Sequence, residues 1–390
     1  MRILFVTSRF PYPPLRGDQA IPYHRLRILS RTHEITLLSF YQSESELQGL
    51  NNLKPFCKHI HTIRLPLWRS VFNVGLNGLF SQLPLQVLYY RSSEFKKLLG
   101  QLLKKNEYDL VHAYLLRIGP YLSEVPIPKV LELIDSMQLN WARRVEAESL
   151  PGKWFYAEEL RRVRNYERTI GNHFDRMLVV SKQDREFIPT SNVEVVPLGV
   201  DTDFFKPSAR KAGAHNIVFS GNMGYSPNIQ AVKWFVDKCL PGIQRAVPDS
   251  TFTVLGINPP REIRSLSGRK GVSVTGFVDS IPEALGNASV AVAPMLSGSG
   301  MQFKILEAMA CGLPVVATSL GLGDIKAVPG RDIAVADSPE QFTKSVVSLL
   351  AAPRVAEEMG TAGRSFVISN HSWETLSAKV DAIYRALAKK

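Results

Sequence analysis

Short apolar runs recur through the whole chain, and within each run the apolar residues are continuous rather than alternating. A strand with one face in water alternates, whereas a continuous run bounded by loops suits a parallel strand covered on both faces. The first run is Arg2-Ile3-Leu4-Phe5-Val6, stopped by Thr7-Ser8. A Pro-rich loop, Gly17-Asp18 and a helical stretch over 21–30 then lead to a second run at 35–40. Strand, glycine loop, helix and strand in that order make a βαβ unit. Further runs follow at 60–65, 110–113, 130–134 and 177–180.

The pattern breaks at Pro197-Leu198-Gly199 and Lys206-Pro207, crosses a polar stretch, and restarts at Ile217-Val218-Phe219-Ser220-Gly221. Runs at 252–255, 272–275, 290–293, 314–317 and 332–335 continue it. The expected class is therefore α/β, with one Rossmann-like domain over 1–198, a linker over 199–212, a second Rossmann-like domain over 213–370 and an amphipathic helix within 371–390. A chain of 390 residues is long enough for two such domains. Open parallel sheets hold ligands at the carboxyl ends of their strands. Two of them facing across a cleft would take a donor on one side and an acceptor on the other, which points to group transfer.

Composition narrows the setting. No apolar run approaches the roughly 20 residues needed to span a bilayer. The opening segment is too short for a signal-peptide core and reads as a buried strand. Cys57, Cys239 and Cys311 are far apart and odd in number, with neither metal spacing nor a disulfide framework, so a cytoplasmic location is expected. The net charge of +12 lies mostly in the first half. A basic protein can meet nucleic acid, an anionic membrane or phosphorylated small molecules. No zinc-finger spacing, RNP-like aromatic motif or long Lys/Arg tract supports nucleic acid.

The densest signal runs from Val290 to Ala317: a strand, a Gly/Ser loop at 297–300, a helix, Gly312-Leu313-Pro314 and another strand. Small residues before a helix let backbone N–H groups approach an anion, and the helix dipole favours it there. Lys304 could add a charge to a diphosphate. Glu307 lies three residues further on a similar face, where a carboxylate can accept two ribose hydroxyls. The plainer readings are a surface lysine and a solvated helix glutamate.

Gln302-Phe-Lys-Ile-Leu-Glu-Ala-Met-Ala-Cys-Gly-Leu-Pro-Val-Val-Ala-Thr318 resembles the donor-site signature of retaining glycosyltransferase family four, whose fold is GT-B. Val196-Pro-Leu-Gly-Val-Asp-Thr-Asp-Phe-Phe205, Gly276-Phe-Val278 and Ser372-Trp-Glu374 agree with it in order. Ser8-Arg-Phe-Pro-Tyr-Pro-Pro-Leu-Arg-Gly-Asp18 and Gly221-Asn-Met-Gly-Tyr-Ser-Pro-Asn228 resemble the subgroup associated with PEP-CTERM and exopolysaccharide systems. The resemblance implies that Glu307 binds the donor ribose, and that Ser297, Gly298, Ser299, Gly300 and Met301, with Lys304, bind its diphosphate. It implies that Gly276, Phe277 and Val278 hold the base through backbone groups. Gly17, with Arg16, would close over the donor phosphates, and Gly221 and Asn222 would line the donor site. Its C-terminal helix would return to the first domain.

Three positions depart from the family pattern. Ser299 stands where a second Glu is usual, Asn222 and Pro227 where an Arg and a Lys are usual, and Tyr114 where a His is usual. His112 remains nearby, either a catalytic group or a core histidine. Lys304, Arg16 or Arg25 would supply the missing positive charge. Asp135, after the fifth strand, would orient the acceptor hydroxyl. Asp201-Thr-Asp203 matches a metal-binding DxD on paper, but it sits in the linker, and no metal or other cofactor is expected.

Two basic-aromatic stretches, one over 65–105 and one over 141–168, suit an anionic membrane surface or else two helices packed on the first domain. The expected function is transfer of a sugar, with retention, from a nucleotide-sugar, a UDP-sugar being favoured, to a saccharide or lipid-linked acceptor. A non-hydrolysing nucleotide-sugar epimerase shares the fold, and a catalytically weak nucleotide-binding subunit of a polysaccharide assembly complex is the alternative from another class.

Overall fold

The computed structural model describes the whole chain except residues 15–16, 79, 148–151, 189, 209–214, 298–300 and 390. It divides into two units: Met1–Pro197 with Leu376–Lys390, and Leu198–Thr375.

The first unit is built on seven parallel strands: β1 (Arg2–Thr7), β2 (Glu34–Tyr41), β3 (His59–Arg64), β4 (Leu110–Tyr114), β5 (Lys129–Glu132), β6 (Arg176–Val179) and β7 (Val193–Val195). Their order is β3-β2-β1-β4-β5-β6-β7. Residues 3–7 of β1 and all of β4 are buried, as strands with helices on both faces must be. The order reverses between β1 and β4, whose last residues, Thr7 and Tyr114, are register partners. That reversal is where an open α/β sheet offers a crevice. Helix α1 (Gly17–Leu29) follows β1, α2 (Leu67–Asn77) follows β3, and α3 (Ser93–Lys105) precedes β4. α1 begins four residues before the apolar spacing predicts, because Asp18 in its first turn, paired with Arg9 at 2.9 Å, suits a helix start. β7 escaped the sequence reading: three residues give no periodicity to read.

The second unit repeats the plan with six parallel strands: β8 (Asn216–Ser220), β9 (Thr251–Leu255), β10 (Val272–Gly276), β11 (Val290–Ala293), β12 (Val315–Ala317) and β13 (Ala334–Val335). Their order, β10-β9-β8-β11-β12-β13, reverses between β8 and β11. Helix α4 (Ser226–Trp234) follows β8 and α5 (Phe303–Ala310) follows β11, so the loops leaving Ser220 and Ala293 meet at the second crevice. Each face of this sheet carries its own apolar core, one around Phe219, Phe235 and Phe252 and one around Ile305, Met309 and Val315.

The closing helix α6 (Trp373–Ala388) starts in the second unit and, from Leu376 on, belongs to the first. Its start is fixed by contact: a Cβ on Gly199 would lie 2.5 Å from the Trp373 ring, so only glycine lets the chain pass there. In the first unit His33 Nε2 lies 2.6 Å from Asp381, and Tyr384 is fully buried.

Candidate functional site

At the second crevice Gly221, Asn222 and Lys304 come together, and Glu307 follows on the same helix. Lys304, in the first turn of α5, points its ammonium at the first turn of α4, where Nζ donates to Asn228 Oδ1 at 2.7 Å. It also donates to Gln302 Oε1 at 3.2 Å and stands 4.9 Å from the centre of the Phe219 ring. Asn228 Nδ2 in turn donates to the Asn222 carbonyl at 2.9 Å. One lysine therefore ties α5 to α4 and to the end of β8. Gly221 is needed for this packing, since a Cβ there would sit 2.8 Å from Asn228 Nδ2. The loop after β9 is equally close, because a Cβ on Gly256 would fall 1.7 Å from the Gly221 carbonyl oxygen.

Glu307 lies one turn beyond Lys304 and is half-buried. Among the described residues its carboxylate takes no hydrogen bond and no ion pair. Burial pushes it up to about 7, against the pull of the Lys304 charge. Burial likewise lowers Lys304 to about 8, opposed by Glu307. A carboxyl carried into a crevice without a protein partner costs free energy in the empty protein, which an incoming hydroxyl can offset. The start of α5 completes the picture: Gln302 gives no side-chain cap, and no acidic residue sits in the first turn. Among the described residues Ile305 N donates to the Gln302 carbonyl at 3.1 Å, and the dipole at this end of the helix favours an anion.

The remaining donor-side residues fall around this point. Ser297 Oγ donates to Gln230 Oε1 at 2.8 Å, and Met301 is half-buried against the α5 core. Gly298, Ser299 and Gly300 lie outside the described residues. Gly276 ends β10 with φ 71°, a conformation that glycine adopts without strain. The chain then presents Phe277 with 73% of its surface exposed, while Val278 packs inward. The Gly276 carbonyl already accepts from Gly256 N at 3.2 Å, so it is engaged within the protein. Asn228 was not among the sequence candidates, although it closes the quoted Gly221–Asn228 segment. Its role depends on a lysine 76 residues away, which no local pattern reveals.

In the first unit the structure corrects two assignments. His112 is fully buried on β4, stacked on Phe5 at 4.4 Å, 2.6 Å from the Tyr384 hydroxyl and 3.2 Å from Glu132. Those groups enclose it, so it is a core histidine rather than a catalytic one. Arg25 is not a spare cation either, since it is spent on Glu132 inside the same cluster. Arg16 lies outside the described residues. Asp135 is exposed three residues past β5, close enough to Glu167 that its charge adds to the burial that raises that carboxyl to about 7. Tyr114 occupies the crevice end of β4 and donates its hydroxyl to the Gly17 carbonyl at 3.3 Å, fixing the start of α1. A Cβ on Gly17 would meet nothing within 4 Å, so open space faces it.

Asp201 Oδ1 accepts from the N–H groups of Asp203 and Phe204, which makes the DxD segment a capped turn. Among the described residues no three His, Cys, Asp or Glu side chains gather in a way that could hold a metal. No described helix is long and apolar enough to cross a membrane.

Residues 214–352 match the family model described as glycosyl transferases group 1, a span that contains the whole second crevice. A GDP-mannose-dependent alpha-(1-6)-phosphatidylinositol monomannoside mannosyltransferase of Mycolicibacterium smegmatis is 26% identical over 97% of this chain and 97% of its own length. A protein in the cps region of Klebsiella pneumoniae is 25% identical over 95% of this chain and 96% of its own. In fold, the chain matches the crystal structure of Anabaena HepE in complex with UDP with a TM-score of 0.66, covering 99% and 100% of the two chains at 13% identity.

Proposed function

We propose that this chain, a GT-B glycosyltransferase similar to family four, moves a sugar with retention of configuration from a nucleoside diphosphate sugar to a saccharide or lipid-linked acceptor. The observation that carries the reading is Glu307, a crevice carboxylate with no partner among the described residues, one turn beyond a lysine held on Asn228. In this reading Glu307 accepts the two ribose hydroxyls of the donor. The diphosphate lies against the uncapped start of α5 and the Lys304 ammonium, and the base stacks near Phe277.

The bond between the anomeric carbon and the diphosphate oxygen breaks as the acceptor oxygen bonds to that carbon on the same face. The acceptor proton passes to the departing diphosphate oxygen, so no histidine is required. Fixed N–H dipoles and one ammonium aimed at that oxygen stabilise the charge as it develops, at little cost in reorganisation. No metal takes part in this scheme. The acceptor side lies at the crevice of the first sheet, with Gly17 at its edge and Asp135 as the group that orients the hydroxyl. The products belong to polysaccharide or lipid-linked glycoconjugate assembly on the cytoplasmic side of a membrane.

Thermal melting against UDP, GDP, dTDP and ADP and their sugars, with and without EDTA, tests the donor site, because a ligand of the folded state raises the melting temperature. The expected result is a shift with one nucleotide family that EDTA leaves intact. Proton NMR of the transfer product then reads the anomeric configuration. Conversion of the sugar nucleotide with no acceptor present would instead indicate an epimerase, and binding without any turnover an assembly subunit.

A further inference from the structure

Helix α2 is turned the wrong way round for a helix in water. Leu67, Trp68, Val71, Phe72 and Leu76 share one face, and that face is the exposed one: Trp68 shows 72% of its surface and Phe72 60%. Ser70 is instead buried, and Asn73 donates to the Arg91 carbonyl at 2.9 Å. A surface helix of a water-soluble domain normally does the reverse, and a contiguous exposed apolar face marks a contact surface. Phe80, three residues past the helix, is 87% exposed as well.

A cavity of about 430 Å³ opens on the flank of the same helix. It is lined by four cations, Arg69 from α2, Arg91, Lys96 from the first turn of α3 and Arg117 from the loop after β4, and by no carboxylate. Among the described residues Arg69, Arg91 and Lys96 make no ion pair. Arg117 is steadied by Gln86 at 3.2 Å and by the face of Tyr90. The floor is rigid, since the Tyr121 hydroxyl donates to the Tyr90 carbonyl at 2.6 Å and accepts from Ser92 N at 2.7 Å. Residues 54–105 hold nine Lys or Arg and one acidic residue, Glu94, which does not line the cavity.

We infer that this cavity takes the phosphate of an anionic membrane lipid while the exposed face of α2 rests among the lipid chains. The two features call for one amphiphilic ligand: guanidinium groups match phosphate oxygens, and aromatic and aliphatic side chains enter the boundary between headgroups and acyl chains. A soluble phosphate would leave the apolar face in water. A protein partner would have to bring both an acidic group and a broad apolar surface. The inference goes beyond the transfer reaction and does not depend on the donor site.

Flotation with vesicles of phosphatidylcholine, alone or mixed with phosphatidylglycerol, tests it. The protein should float only with the mixed vesicles. Arg91→Gln with Lys96→Gln should weaken that binding roughly 10–30-fold, at about 1 kcal/mol per charge near an anionic surface. Lys104→Gln with Lys105→Gln removes equal charge from the far end of α3 and should weaken it much less. Trp68→Ser with Phe72→Ser should abolish it. Equal losses from the two charge pairs would overturn the cavity. Equal binding to phosphatidylcholine alone, or none to either vesicle, would overturn the lipid. All the substituted residues are at or near the surface, and an unchanged melting temperature and nucleotide affinity separate loss of the surface from loss of the fold or of the donor site.

Discussion

Arg25 and Glu132 form a buried two-point ion pair: Arg25 Nη2 and Nε stand 2.9 and 3.2 Å from Glu132 Oε1, and both side chains are almost wholly out of water. Around them Arg25 Nη1 donates to Ser377 Oγ at 3.3 Å, and Tyr384 reaches His112. The pair joins α1 to β5, and its surroundings bind α6 to the first unit. Removing one partner leaves the other charged and unpaired. Arg25→Ala should therefore cost about 3–5 kcal/mol, read as the denaturant midpoint at unchanged slope.

The same pair sets an acid limit. Burial alone would raise the Glu132 carboxyl, but the Arg25 charge and contact with His112 reverse that and hold it at about 2. A folded-state value below the unfolded one contributes stability above the unfolded value of 4.5 and loses it as pH falls toward 2. Wild type should shed about 3 kcal/mol across that window from this group. Glu132→Gln should start less stable and show a flatter loss over the same range. Parallel curves for the two proteins would rule the pair out as the source.

How much of this was legible beforehand follows from the range of each interaction. Val290 to Ala317 could be read because a strand, a Gly/Ser segment and the helix bearing Lys304 and Glu307 are contiguous in sequence. The two sheets could be read because parallel strands covered on both faces must be apolar throughout, as β1 and β4 are. His112 could not, for its neighbours Phe5, Glu132 and Tyr384 come from three distant segments, and a histidine after an apolar run looks the same in a core or a crevice. Asn228 was hidden for the same reason. The outward apolar face of α2 was visible as a run of aromatic residues, but only the burial of Ser70 shows which way the helix turned.

Glu307 should trade stability for binding. Its folded-state value of about 7 lies above the unfolded 4.5, so it favours folding only below 4.5 and costs stability as pH rises through 7. Glu307→Gln should stabilise the ligand-free protein by about 2 kcal/mol above neutral pH and leave it little changed in acid. The same substitution should lower kcat/KM about 10–100-fold by weakening charge-assisted hydrogen bonds to the ribose. Melting curves with and without nucleotide separate the two effects: the gain belongs to the empty protein and the loss to the complex. A variant both less stable and fully active would remove Glu307 from the site.

Gly17 offers a test at the first crevice. A Cβ placed there meets no protein atom within 4 Å, so Gly17→Ala should fold with an unchanged melting temperature. If a substrate approaches the start of α1, the added methyl occupies its place and kcat/KM should fall about tenfold or more, as a small misplacement of reacting groups suffices to do. Unaltered kinetics would mean that Gly17 serves only as a helix start.

Lys304 should give transfer its alkaline limit. Burial lowers the ammonium to about 8, so the free enzyme loses this charge as pH rises past that value, and kcat/KM should fall with it. Lys304→Met should cut kcat about 100–1,000-fold, the scale of losing one group aimed at a developing oxyanion, and should abolish the alkaline fall. Lys304→Arg separates charge from fit. A guanidinium stays charged throughout, so the alkaline fall should vanish here too. It cannot, however, reproduce a single ammonium seated 2.7 Å from Asn228 and over the Phe219 ring, so activity should stay well below wild type. Full activity in Lys304→Arg would show that the charge alone is needed, and a retained alkaline fall in either variant would assign that ionisation to another group.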